Sequence, residues 1–209
     1  SEFMDEDAVT DLARDFEVEY DPALAERPNE LVAIATSARG LIVRNRTQVR
    51  GPLLANCDKL QVVGRLGVGL DNIDLEGCQE RGIQVFPAVG ANDLAVKEYI
   101  IAALLTLCRG SFFATNDVKA GNWPREQLIH REISGRRLGL VGFGNIAREV
   151  ARAAQGLGMI VAACDPFIGS ADHVWKETGV ACETLEHLLS TSDAVSLHVP
   201  LSTQTRHLM

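Results

Sequence analysis

RLGLVGFGNIAREVARAA, residues 137–154, carries Gly142, Gly144 and Ala147 in the spacing G-x-G-x-x-A. That spacing alone is a weak signal, because glycine turns recur in many chains, so its neighbours decide the reading. Upstream, Leu138, Leu140 and Val141 form a short apolar run suited to a strand buried on both faces. Downstream, Ile146, Val150, Ala151, Ala154 and Leu157 recur at three- and four-residue steps, one face of a helix that Gly158 can close. The glycines therefore join a strand to a helix. In that place Gly142 permits a tight turn, Gly144 lets the backbone approach a pyrophosphate, and Ala147 lets the helix pack close to the sheet. The N–H groups near Asn145 and Ile146 then face the phosphates with the positive end of the helix dipole.

A second strand, MIVAAC, ends at Asp165, twenty-three residues after Gly142, where a ribose-binding carboxylate is expected. A carboxylate there accepts hydrogen bonds from the ribose hydroxyls and repels a 2′-phosphate. Pro166 and Phe167 supply no cation to offset that repulsion. The expected cofactor is NAD rather than NADP.

The 209 residues are 46% hydrophobic, which suits one large or two small globular domains. The longest apolar run, YIIAALLTLC, falls short of the roughly 18 residues of a membrane helix and reads as a buried helix. With no basic-plus-apolar leader, the chain is expected to be soluble and cytoplasmic, with no membrane partner. Cys57, Cys78, Cys108, Cys164 and Cys182 are odd in number and widely spaced, as reduced core residues are, and outline neither a disulfide framework nor a metal site. A net charge of -8 argues against nucleic acid as a partner. The charge is nevertheless uneven. Residues 1–30 carry eleven acids against Arg14 and Arg27, whereas residues 39–65 carry Arg39, Arg44, Arg46, Arg50, Lys59 and Arg65 against Asp58 alone. Arg44 ends the apolar strand GLIVR, at the carboxyl edge of a sheet, where α/β folds bind ligands.

Along the first part, DAVTDLARDF reads as helix, EVEY as extended, GLIVR as strand, GPLLANC as helix, LQVVG as strand, LEGCQERG as helix and IQVF as strand. GANDLAVKEYIIAALLTLCRG, closed by Gly110, is apolar nearly all round and is expected to be buried between domains. The boundary falls near residues 88–92, giving a substrate domain at residues 1–90 and a dinucleotide-binding domain at 91–209. AGNWPREQLIHREISG is a loop-rich approach to the latter, whose strands are expected at 138–142, 159–164, around 180 and 194–198. The fold class expected is α/β: two doubly wound parallel-sheet domains, one flavodoxin-like and one Rossmann, incomplete at both ends.

VVGRLGVGLDNID, LGLVGFGNIAREVA, the DPF after the second strand and SLHVPLSTQTRHLM together resemble the D-isomer-specific 2-hydroxyacid dehydrogenases over essentially the whole chain. Within that family, SEFMD, LIVRNRTQV and GRLGVGLDNID look most like the phosphoglycerate dehydrogenases and a bacterial sulfolactate dehydrogenase branch. The resemblance implies hydride transfer between C4 of nicotinamide and C2 of a 2-hydroxy acid. It implies that Gly67, Val68 and Gly69 offer backbone N–H groups to the substrate carboxylate, with Val68 also near the nicotinamide. Asn92 matches an active-site asparagine, and Val96, one turn on, faces the cofactor. Asn145, Ile146 and Asp165 match pyrophosphate and ribose contacts, and Val199 borders the adenosine half. Arg44 and Arg65 match arginines that meet a remote phosphate. Lys97 departs from the alanine common before the glutamate at Glu98. A homodimer through the dinucleotide-binding domain is expected.

The family's catalytic arginine, histidine and glutamate lie beyond the HVPL strand, and none of His130, His173, His187, His198 or His207 matches that histidine. The expectation is therefore no catalytic residue within these 209, a fragment of a longer enzyme, and no turnover by this chain alone. Two functions stand beside each other: an NAD-dependent dehydrogenase, and a non-catalytic NAD-binding interaction protein like the superfamily's corepressors. Arg44 and Arg65, with Arg46, exceed what one carboxylate needs. They point to a second anionic group, as in 3-sulfolactate or 3-phosphoglycerate.

Overall fold

The computed structural model describes residues 1–129 and 132–209; His130 lies outside them. The chain forms two compact units, Ser1–Ala91 with Pro200–Met209, and Asn92–Val199. The last ten residues thus group with the first unit, unlike a single cut near residue 90.

In the first unit, α1 (Glu6–Leu12), α2 (Pro28–Ala35), α3 (Gly51–Ala55) and α4 (Leu75–Glu80) accompany three parallel strands. These are β1 (Gly40–Val43), β2 (Val62–Arg65) and β3 (Gln84–Pro87), in the order β1-β2-β3. The register pairs Val43 with Arg65 and Arg65 with Pro87, which aligns the carboxyl ends of all three strands. Leu31, Leu41, Val43, Val49, Leu53 and Val63 are among the buried residues of its core. Residues 17–20, read as extended, join no strand, and Pro28–Ala35 is a helix that the sequence reading passed over.

The second unit contains α5 (Asp93–Arg109), α6 (Thr115–Lys119), α7 (Asn145–Gly156), α8 (His173–Thr178) and α9 (Leu185–Thr191). Its strands are β4 (Arg137–Val141), β5 (Ile160–Cys164), β6 (Ala181–Cys182) and β7 (Ala194–Leu197), all parallel, in the order β6-β5-β4-β7. The chain order reverses between β4 and β7, and ligands of α/β sheets bind beside the carboxyl ends of the strands at such a point. Leu138, Leu140 and Val141 are buried, and so are Ala147, Val150, Ala151 and Ala154 on the inner face of α7. Helix α5 differs from expectation. Ile100, Ile101, Leu104 and Leu105 pack on the core, but Leu94, Tyr99 and Leu107 stay exposed, because one sheet-and-helix core can cover only one face of a helix. No single helix among the described residues is long and apolar enough to cross a membrane.

Gly139 lies in β4 under α9, where a Cβ would stand 2.6 Å from Leu188 Cδ2 and 2.5 Å from Ser192 Oγ. Gly139→Ala is therefore expected to overpack this layer and lower the unfolding free energy by about 1–3 kcal/mol. A urea midpoint unchanged at equal slope would show that α9 does not press on β4 this closely.

Candidate functional site

β4 leads directly into Gly142, whose φ of +88° suits glycine. A Cβ there would also stand 2.6 Å from the His198 carbonyl oxygen and 3.0 Å from Val199 Cγ1, so the residue after β4 must be glycine for the end of β7 to lie where it does. The Gly142 N–H donates to the Cys164 carbonyl at 2.8 Å, carrying the β4–β5 ladder one residue further. Gly144 is different. Its φ of -74° and ψ of -168° are open to any residue, and a Cβ there would meet nothing within 4 Å. No protein contact demands glycine at Gly144, whereas a pyrophosphate lying against the backbone would.

α7 begins at Asn145 with no side-chain cap and no acid in its first turn. Asp5, Asp74, Asp172 and Thr184 each accept a backbone N–H at the starts of α1, α4, α8 and α9, whereas α2, α3, α5 and α6 share with α7 the lack of a side-chain cap. The N–H groups of Asn145 and Ile146 have no acceptor within the helix, and the positive end of the dipole is unopposed. This is the chemistry of a phosphate cradle.

Asp165 closes the site from the end of β5. Its Oδ2 accepts the Phe143 N–H at 2.8 Å and its Oδ1 accepts the Phe167 N–H at 2.9 Å. A carboxylate has about four acceptor positions, so two remain open to further hydrogen bonds. Phe143 is fully buried and stacks on Trp175 with ring centroids 4.8 Å apart, while Trp175 Nε1 donates to the Gly169 carbonyl at 2.8 Å. The Arg148 guanidinium, 5.7 Å from the Phe143 ring centre, donates through Nε to the Phe143 carbonyl at 3.0 Å. Gly142, Gly144, Asn145, Ile146, Asp165 and Val199 are thus gathered at the ends of β4, β5 and β7. Asn92 and Val96 lie on the first turn of α5, joined by a Val96 N–H to Asn92 carbonyl bond of 3.0 Å. Lys97 Nζ lies 3.9 Å from Glu149 Oε2 on α7, so it has a partner as well as a surface.

His198 holds its N–H on the Val141 carbonyl at 2.7 Å and its Nε2 against Ser196 Oγ at 3.0 Å. Burial pushes its imidazole pKa below the usual value, which keeps it neutral at pH 7. His173, His187 and His207 are exposed.

In the first unit, Arg65 ends β2 and the chain turns at Gly67, where φ is +148°. The Gly67 N–H donates to the Arg65 carbonyl at 2.9 Å, and the Ala88 N–H to the Arg65 and Gly67 carbonyls at 2.9 and 3.2 Å. The Arg65 guanidinium covers the place a Gly67 Cβ would take, and its Nη1 donates to the Leu66 carbonyl at 3.1 Å. Among the described hydrogen bonds, the N–H groups of Val68 and Gly69 have no acceptor. Arg44, next after β1, reaches the Phe3 carbonyl at 3.3 Å and stands 5.8 Å from the Phe3 ring centre. Arg46, grouped in the sequence with Arg44 and Arg65 as a third cation for an anion, is instead paired with Glu26 at 3.0 Å. Glu26 ends the short 3-10 turn just before α2, and its pairing with Arg46 was not apparent from spacing.

Two further residues organise this edge. Glu2 Oε1 accepts the N–H groups of Arg44 and Thr47 at 2.9 and 3.0 Å, and Oε2 accepts that of Arg46 at 3.0 Å. Burial pushes the Glu2 carboxyl up, but these three backbone bonds outweigh it and hold the pKa below the usual value. Asn72 Nδ2 donates to the carbonyls of Arg44 and Thr47 at 2.9 and 2.7 Å. No motif marks Glu2, while Asn72 stands within GVGLDNID.

The profile for D-isomer specific 2-hydroxyacid dehydrogenase, NAD binding domain, matches residues 101–209. Over all 209 residues the chain is 52% identical to (S)-sulfolactate dehydrogenase of Chromohalobacter salexigens, covering 67% of that protein. It is 35% identical over 207 residues to D-3-phosphoglycerate dehydrogenase of Methanocaldococcus jannaschii, covering 99% of this chain and 39% of the relative. A solved D-lactate dehydrogenase from Aquifex aeolicus, complexed with NAD and lactic acid, aligns with a TM-score of 0.76 at 29% identity, over 83% of this chain and 51% of that one. The chain spans about two thirds or less of the length of these relatives. A profile over its second half and a relative half-identical along its whole length agree with the glycine turn: the chain belongs to the D-isomer specific 2-hydroxyacid dehydrogenases, and residues 101–209 carry their NAD-binding domain.

Proposed function

We propose that the protein is an NAD-dependent oxidoreductase acting at C2 of a small 2-hydroxy acid that carries a second anionic group, of the 3-sulfolactate or 3-phosphoglycerate type. The observation that carries this is the turn at Gly142 and Gly144, with an uncapped α7 behind it and Asp165 beside it. NAD, when bound, supplies hydride exchange at C4 of its nicotinamide. In this reading, residues 91–209 form the dinucleotide-binding domain and residues 1–90 a flavodoxin-like substrate domain. The N–H groups of Gly144, Asn145 and Ile146 hold the pyrophosphate, Asp165 holds the ribose, and Val68, Val96 and Val199 border the cofactor. The N–H groups of Val68 and Gly69 hold the substrate carboxylate, Asn92 orients the substrate, and Arg44 and Arg65 meet the second anion. Proton transfer is assigned to no residue of this chain. Five free cysteines, three of them buried, fit a reducing, cytoplasmic setting.

Cofactor selectivity tests the first half. Asp165→Ala is expected to weaken NAD binding by about 1–3 kcal/mol, the scale of charge-assisted hydrogen bonds. Because the same carboxylate holds the turn, the decisive readout is the ratio of NADP to NAD affinity, which should rise once the 2′-phosphate meets no anion. Equal losses for both would reduce Asp165 to a structural tie. Gly144→Val should abolish binding of either dinucleotide; normal affinity would remove the phosphate-cradle reading.

Substrate choice tests the second half. In the full-length gene product, Arg44→Glu should raise KM for the two-anion substrate far more than for lactate or glycerate. Uniform effects would make the arginine structural.

A homodimer through the second unit is also proposed. Tyr99, Leu107, Phe112, Phe113, Trp123 and Ile129 are exposed within about thirty residues of one unit, an apolar display more typical of an interface than of free surface. Sedimentation equilibrium should give twice the chain mass, and Leu107→Glu should favour the monomer. A monomer at all concentrations would remove this proposal.

A further inference from the structure

Among the described residues, the buried polar and charged side chains are Ser1, Glu2, Thr47 and Asn72, and all four meet in one hydrogen-bonded network. Buried polar groups are costly unless fully partnered, so a core that concentrates them at one sheet edge is fixing something there. What they fix is the backbone from Arg44 to Thr47. Glu2 takes the N–H groups of Arg44, Arg46 and Thr47 from one side, and Asn72 gives its amide protons to the carbonyls of Arg44 and Thr47 from the other.

The same network reaches the segment that follows the turn at Gly67. Asn72 stands five residues after Gly67, its carbonyl accepts the Val49 N–H at 2.8 Å, and the Val49 carbonyl accepts the Asp74 N–H at 3.0 Å. The loop carrying Arg44 is therefore laced to the segment that follows the Val68 and Gly69 N–H groups. With its three backbone partners, the Glu2 carboxylate is screened from any anion nearby.

We infer that Glu2 is a positioning residue which, together with Asn72, fixes the separation between the two anion contacts of the substrate, at Arg44 and at the Val68–Gly69 turn, and so selects the length of the two-anion substrate. This rests on the two-anion reading of the site. Glu2 touches no substrate; it acts through the loop that presents Arg44.

The test is a double-mutant comparison in the full-length gene product, with 3-sulfolactate and 3-phosphoglycerate as two-anion substrates and glycerate as the one-anion reference. Glu2→Gln keeps the shape but replaces one acceptor oxygen with an amide donor facing backbone N–H groups. It is expected to raise KM for the two-anion substrates about tenfold or more relative to glycerate, the effect of misplacing a charge-assisted contact. The NAD dissociation constant should not move, and Glu2→Gln combined with Arg44→Ala should be no worse in that ratio than Arg44→Ala alone. If Arg44→Ala shifts the ratio but Glu2→Gln does not, or if their effects add in full, the inference about Glu2 fails while the two-anion reading stands. If Arg44→Ala leaves the ratio unchanged, the two-anion reading fails and this inference with it. Should Glu2→Gln not fold, hydrogen exchange in the unaltered protein decides. The amides of Arg44, Arg46 and Thr47 should be protected before substrate is added; free exchange that slows only with substrate would overturn the idea.

Discussion

The carboxylate of Asp165, held between the N–H groups of Phe143 and Phe167, ties the turn after β4 to the loop after β5. Loops at the carboxyl ends of parallel strands have no ladder to fix them, so their shape depends on ties of this kind. The Phe143–Trp175 stack and the bond from Trp175 to the Gly169 carbonyl extend the tie to α8. Loop ordering is then complete before any ligand arrives, and less of the binding free energy is lost to it.

The first unit solves the same problem with a different carboxylate. Glu2 also spends itself on backbone N–H groups, but it is buried, whereas Asp165 is half-exposed with acceptor positions still open. One carboxylate both shapes a site and can face a ligand; the other only shapes. The difference lies in burial, which decides whether an anion can meet solvent-borne hydroxyls after its backbone partners are satisfied.

Much of the second unit was legible in the sequence because its signals are local. Leu138 to Val141, the glycine spacing and the 3.6-residue rhythm of α7 each lie within one element, and Asp165 follows at a distance set by one strand, one turn and one helix. What escaped was non-local. The pairing of Arg46 with Glu26 and of Glu2 with residues 44–47 joins positions 20 to 45 apart in sequence, and no periodicity encodes them. Pro28–Ala35 is another matter, since proline at a helix start was a readable signal that the acidic run around it obscured. The exposed side of α5 shows the limit of apolar composition. A helix apolar all round states that both faces seek burial, but not that one chain covers both.

The position of Gly142 beneath the His198 carbonyl bears on how the molecule is made. β4 is central, pairing with β5 and, across Leu138 and Ala194, with β7. During synthesis, helix α7 can form as soon as residue 156 has emerged, yet both strands that pair with β4 follow it, and the His198 carbonyl that lies against Gly142 is translated more than forty residues later. Closing such a long-range contact is among the slower steps of assembly. The nascent chain therefore holds α7 before it holds the sheet in front of it, and the crevice between the ends of β4 and β7 exists only once the end of β7 has been made.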